Sequence, residues 1–163
     1  MAFNASYTSN IIINTNIVPA AGATDSSLTF AYPTSAMNQG SGSTPACTIG
    51  GAGELAMEAV TLTIDLEAVP LGPQGSGLVG TGLKVQMLKL RSKTGNANPI
   101  TIIQAVSNGY DGFGAAFSVV LAVAGAEIVL RTMDGGNNIG GTNRYLTVTG
   151  TLAQVLEVEI VFG

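Results

Sequence analysis

The sequence has no histidine and no tryptophan, and its only cysteine is Cys47. Without histidine it lacks the side chain most used as a general base and the commonest metal ligand. A lone cysteine permits no disulfide within the chain, and in a Thr/Pro segment it reads as a small buried residue. Charge is scarce as well: charged residues make up 10% of the 163, against a usual share of about 25%. No Lys or Arg precedes Lys84, and all six basic residues fall between Lys84 and Arg144. A formal charge of −4 gives no general attraction to phosphates, so no nucleic-acid partner is expected. No apolar run approaches the ~20 residues of a spanning helix, so no membrane partner is expected. The opening MAFNASYTSNIIINTNIV lacks the basic n-region of a signal peptide, which points to synthesis in the cytoplasm without export.

What is present is apolar and flexible. Apolar residues make up 46%, and there are 22 glycines. A soluble monomer keeps a well-charged surface, so this composition suggests that other subunits cover much of the chain. Its length suits one domain, able to bury roughly 70% of its unfolded surface without staples.

The chain divides near residue 53. Residues 1–53 contain one charge, Asp25, among many Ser, Thr, Asn, Gly and Ala. They read as an extended arm with two strand-like pieces, NIIINTNIV (10–18) and SLTFAY (27–32), and a loop over 39–53. From residue 54 the pattern turns regular. Val60, Leu62, Ile64 and Leu66 alternate with polar residues, as do Phe117, Val119, Leu121 and Val123, and Leu156, Val158, Ile160 and Phe162. Period-2 alternation marks half-buried strands. In LKVQMLKLR (83–91) the alternation changes phase, which predicts a bulge near Met87–Leu88. Gly53–Ala59 is the only helical candidate. Roughly seven or eight short strands joined by Gly-rich turns predict an all-β antiparallel sandwich, most simply a single jelly roll, over 54–163.

Candidate chemistry is thin. GSGLVG (75–80) has dinucleotide-type glycine spacing but neither the preceding strand nor the following helix that would place a helix N-terminus on a pyrophosphate. Asp65/Glu67 and Glu157/Glu159 lie about 7 Å apart on strand faces, a spacing that suits an inverting glycosidase. Such an enzyme also needs a desolvated pocket and sugar-stacking aromatics, so a salt-bridge row is the simpler reading. Lys84, Lys89, Arg91 and Lys93 form a basic cluster without stacking aromatics and suit pairing with acidic strands. MDGGNNIGG (133–141) has one carboxylate, Asp134, too few for a calcium loop, and reads as a structural corner. These residues predict no catalytic, cofactor-binding or metal site and no enzyme activity.

Several segments occur in a suggestive order: LTIDLEAVPLG, LKVQMLKLRSKTGNANPITI, GYDGFGAAF, AGAEIVLRTMDGG and YLTVTGTLAQVLEVEIVFG. Over residues 61–163 this order resembles small tailed-phage virion proteins of the single jelly-roll, capsid decoration or cement type. The resemblance implies a virion protein on the capsid surface. Its partners would be copies of itself, as a homotrimer or other symmetric oligomer, and a major capsid protein. The arm would then supply assembly contacts, with Ile11, Ile13, Phe30 and Tyr32 as candidates. Two alternatives are a carbohydrate- or receptor-binding module contacting ligand through Tyr110, Phe113 and Asp134, and another strand-exchanging subunit of a virion or filament.

Overall fold

A computed structural model describes residues 4–9, 12–17, 26–31, 35–40, 46, 48–71, 77–132 and 137–163, with backbone alone before residue 46. Twelve strands are described: β1 Asn4–Ser9, β2 Ile12–Ile17, β3 Ser26–Ala31, β4 Ser35–Gly40, β5 Ile49–Ala56, β6 Thr61–Asp65, β7 Val85–Ser92, β8 Ile100–Gln104, β9 Ser118–Leu121, β10 Glu127–Arg131, β11 Tyr145–Thr149 and β12 Val155–Phe162. Among the described residues there is no helix. The candidate over Gly53–Ala59 is instead the end of β5 followed by a bend.

The last eight strands form two antiparallel sheets. The first has the order β10-β7-β12-β5 and the second β6-β11-β8-β9. The pairs β5–β12, β6–β11, β7–β10 and β8–β9 are those of one long hairpin folded at its middle. The further pairs β7–β12 and β8–β11 wrap that hairpin into two layers. This is the jelly roll that the period-2 runs predict.

Inward residues of both sheets meet in a single core. Ile64, Leu88, Leu90, Ile100, Ile102, Leu146, Val148, Leu156, Val158, Ile160 and Phe162 all belong to it. Burying each such side chain contributes about 1.5–3 kcal/mol. On β12 the expected alternation holds from Val155 to Ile160, after which Val161 is buried as well as Phe162. Leu156, Val158, Ile160 and Phe162 are buried, Glu157 is half-buried and Glu159 is exposed. The alternation fails at two strand ends. Val60 precedes β6 and is 60% exposed, and Val123 follows the four-residue β9 and is 65% exposed.

The body begins earlier than composition suggests. β5 pairs with β12 from Ile49↔Phe162 to Val155↔Ala56, inside the segment read as arm and loop. Its glycines leave room for the loop that follows β6. A Cβ at Gly51 would lie 2.3 Å from the Leu71 carbonyl oxygen, and one at Gly53 would lie 2.9 Å from Leu71 Cδ2. Leu71 and Leu78 fill the core space that β5 side chains would occupy. The β7 bulge also sits earlier than expected. Val161 opposes Met87 and Phe162 opposes Val85, so Gln86 is the extra residue. Its side chain donates to the Ala46 carbonyl at 2.8 Å, at the entrance to β5.

The four arm strands pair only with one another among the described strands. β1 runs against β4 and β2 against β3. These are two separate two-stranded ladders, one from Asn4↔Gly40 to Ser9↔Ser35 and the other from Ile12↔Ala31 to Ile17↔Ser26. Ile13 and Phe30 are register partners. Their side chains, and Ile11 and Tyr32 entirely, lie outside the described residues.

Candidate functional site

Successive side chains on a strand point to opposite faces, so each sheet has an outer face as well as a core face. The two outer faces differ in chemistry, and they are the candidate functional surfaces.

The first sheet's outer face carries alternating charge. Lys89 on β7 lies 2.9 Å from Glu159 on β12 and 3.4 Å from Glu127 on β10. Arg91 pairs with Glu157 at 3.2 Å, and Lys93, just past β7, pairs with Glu54 on β5 at 2.6 Å. The register explains this lattice: Glu157 opposes Arg91, and Glu159 opposes Lys89. The hydrogen bond from Glu159, together with the charges of Glu159 and Glu127, raises the Lys89 pKa despite its partial burial. A shallow hollow of about 220 Å³ lies among Glu54, Lys89, Arg91, Glu157 and Glu159. Three of the basic cluster, Lys89, Arg91 and Lys93, therefore meet acidic residues of their own sheet, as the sequence suggested. Glu157 and Glu159 are both engaged by cations. Toward one end the charges give way to Met87 and Val161, an opposed pair that is 5% and 4% exposed.

The second sheet's outer face carries hydroxyls and β-branched side chains. Thr61 and Thr63 on β6, Thr147 and Thr149 on β11, Thr101 and Ile103 on β8, and Ser118 and Val120 on β9 all alternate with core residues. Thr147 stands at the centre, opposed by Thr63 on one side and Ile103 on the other. Val120, opposite Thr101, is 57% exposed.

Charge enters this face only at one end. There Arg144 pairs with Glu67 and, at 3.7 Å, with Asp65. The Arg144 guanidinium also lies 4.4 Å over the Tyr145 ring and donates to its hydroxyl. The Asp65/Glu67 pair is thus answered by a single arginine. Beyond Ile103 and Ser118 the face opens into a hollow of about 560 Å³, lined also by Ala105, Val106, Ala116 and Phe117. Gln104 shapes its rim, donating to the Gly109 carbonyl at 3.2 Å and accepting from the Ala116 N–H at 3.1 Å. Val106 stands on that rim, fully exposed.

The proposed ligand contacts do not share one surface. Tyr110 is completely buried, and its hydroxyl oxygen accepts the Val85 N–H at 3.1 Å. Burial, its main cause, pushes the phenol pKa up. Tyr110 therefore works as a core strut tying the loop after β8 to the first sheet. It stacks edge-on against Phe113, which leans on Phe117, and both phenylalanines pack against the core. Asp134 lies outside the described residues. Its neighbour Asn137 donates to Asp111 at 2.7 Å, and Ile139 is buried in the core, so the described part of the 133–141 corner is anchored. The GSGLVG segment has no helix after it; Leu78 instead bridges to Val69.

Among the described residues no group of three or more Cys, Asp or Glu side chains is placed to hold a metal. No described helix is long and apolar enough to cross a membrane. The hydroxyl face is the feature that sequence reading passed over. Its signal was present as threonine at the outward positions of LTID, ITII and YLTVT, the complement of the apolar positions that attracted attention. No protein-family model, no curated protein and no solved structure matches the chain.

Proposed function

We propose that this chain is a non-enzymatic structural protein of a virion, a capsid decoration or cement protein that acts as a symmetric oligomer and clamps subunits of the shell. The observation that carries this reading is the contrast between an eight-strand body and two two-stranded ladders, β1–β4 and β2–β3, which pair with no body strand among the described residues. A two-stranded hairpin is marginal in water. It gains stability when a neighbouring surface covers it or when a neighbouring sheet edge pairs with it.

Ile11, Ile13, Phe30 and Tyr32 are the proposed contacts. Burying four such side chains contributes on the order of 6–12 kcal/mol. Ordering the arm costs roughly 1–2 kcal/mol per residue, so a contact spread over several subunits is needed to offset it. The scarcity of charge and the fully paired ionic lattice also fit a scaffold better than a catalyst.

The test is removal of residues 1–45, which stops short of β5. The truncated protein is expected to melt cooperatively and to sediment as a smaller species than the full chain at the same low concentration. Unchanged sedimentation would overturn the clamp. Loss of the cooperative melt would show that the arm is part of the body.

A further inference from the structure

We infer that the free edge of β5 pairs with the β5 of a second copy, the two strands running antiparallel across a two-fold axis at Ala52. The pairing involves the body alone and does not rest on the arm.

The backbone specifies the kind of partner. In an antiparallel ladder, alternate residues bond to the strand on one side and turn their N–H and C=O groups to the other. The Met57 N–H donates to the Gln154 carbonyl at 2.8 Å, and the β5–β12 register runs on from there. Leu55, Gly53 and Gly51 therefore bond to β12, while Ala56, Glu54, Ala52 and Gly50 turn their backbone groups away from it. β5 is the last strand of its sheet. Beyond the β5–β12 ladder, no backbone hydrogen bond among the described residues involves those four. Ala52, Glu54 and Ala56 are exposed. Such a row of donors and acceptors is completed by another strand.

The other edges of the body are guarded against such pairing. β9 has four residues, and β6 and β10 have five each, with Asp65 on β6 and Glu127 and Arg131 on β10. Short strands and charged side chains blunt an edge. β5 has eight residues, IGGAGELA, with no proline and one charge. That charge is drawn back over its own sheet, where Lys93 holds the Glu54 carboxylate at 2.6 Å.

The strand also fits its own copy. A two-fold pair sets residue i against j and j against i. With Ala52 on the axis, each Glu54 lies opposite Gly50 of the other copy. Glycine carries no side chain, so each Glu54–Lys93 pair keeps its room and no two carboxylates meet. An axis at Glu54 would instead set the two carboxylates face to face, which is destabilising.

The experiment uses the full chain and Ala52→Pro, which removes an N–H that the body does not use and is tolerated on an edge strand. At roughly 100 µM, where weak pairing is populated, the parent is expected to sediment at twice the mass of the variant, whatever assembly the arm adds to both. Equal masses overturn the inference. Amide exchange reads the same edge in the parent without a substitution. The Ala52 N–H should be protected to within about tenfold of the Gly53 N–H, which β12 already holds. An Ala52 amide that exchanges freely at that concentration also overturns the inference. Ala52→Lys and Ala52→Glu then test the symmetry. Mixed, they should associate about fivefold more tightly than either alone, because opposite charges face each other at the axis. A mixture no tighter than its components assigns the edge to a different strand and overturns the two-fold pairing. Removing residues 1–45 tests the arm alone, so the two readings fail separately.

Discussion

The two sheets share a core and a strand geometry, yet their outer faces have little in common. One is a lattice of Lys, Arg and Glu in cross-strand register; the other is threonine, serine, valine and isoleucine. Core packing demands neither, because inward residues alternate equally well in both. The difference shows that the body gathers most of its strand ion pairs on one side. The ionic face satisfies itself within one chain and needs only water. The hydroxyl face carries ion pairs only at one end, where Arg144 meets Asp65 and Glu67.

The comparison presumes a core common to both faces, and the strongest perturbation attacks that core. Val158 on β12 is 1% exposed, with Leu90 and Gly53 as register partners. Val158→Asp places an unpaired charge there and should cost several kcal/mol, enough to abolish cooperative melting. A soluble variant with a sharp thermal transition would show that this position is not core.

Tyr110→Phe is the next in size. It removes the acceptor of the buried Val85 N–H and should cost about 1–3 kcal/mol, read from denaturant midpoints. On the ionic face, Lys89→Glu breaks pairs to Glu127 and Glu159 and sets three carboxylates together. Partly exposed pairs are each worth about 0.2–1 kcal/mol, so a loss of roughly 1–2 kcal/mol is expected. Thr147→Lys on the other face should leave the monomer's melting within about 0.5 kcal/mol. Equal losses from these two substitutions would erase the distinction between the faces.

The pH dependence is smaller. The folded pKa values of both Tyr110 and Lys89 are raised, so the folded state holds these protons more tightly than the unfolded chain. Their contribution is complete below the unfolded values near pH 10 and is lost as pH rises through the folded ones. Melting temperatures should therefore fall between pH 9 and pH 11, and fall less steeply in the Tyr110→Phe protein. The smallest effect is that of salt. Raising NaCl to about 1 M should screen the ionic lattice and lower stability by under about 1 kcal/mol.

Much of the fold was legible because alternation records burial directly. β12, β11 and β6 carry clear period-2 patterns, and each became a strand with its apolar side inward. β5 was hidden for a physical reason. Its inner positions include Gly51 and Gly53, and the side chains that fill the space come from Leu71 and Leu78, so its own sequence shows no alternation. In the AGAE turn Gly125 takes φ +78°, a conformation glycine adopts without strain. Tyr110 was misplaced because a Gly-rich loop suggests solvent, yet its ring reaches back to β7 over a separation that local reading does not see. The ion pairs could be anticipated as opposite charges on strands. The hydroxyl face could not, since threonine at outward positions is also what any solvated strand shows until neighbouring strands set several threonines side by side.

The pairing of β5 with β12 has a kinetic consequence. The first strand of the body is completed by the last, across every strand between them. Contacts so distant in sequence are slow to form, because the loop-closure entropy is lost before the pairing returns anything. Until β12 is available, β5 offers a glycine-rich edge with a single charge, Glu54, to guard it. Such an edge accepts a strand from any copy nearby. At high concentration of newly made chains, the β12 of one molecule can close the sheet of another, giving domain-swapped pairs with the native hydrogen bonds. Refolding yield should therefore depend on concentration even where the folded protein is indifferent to it.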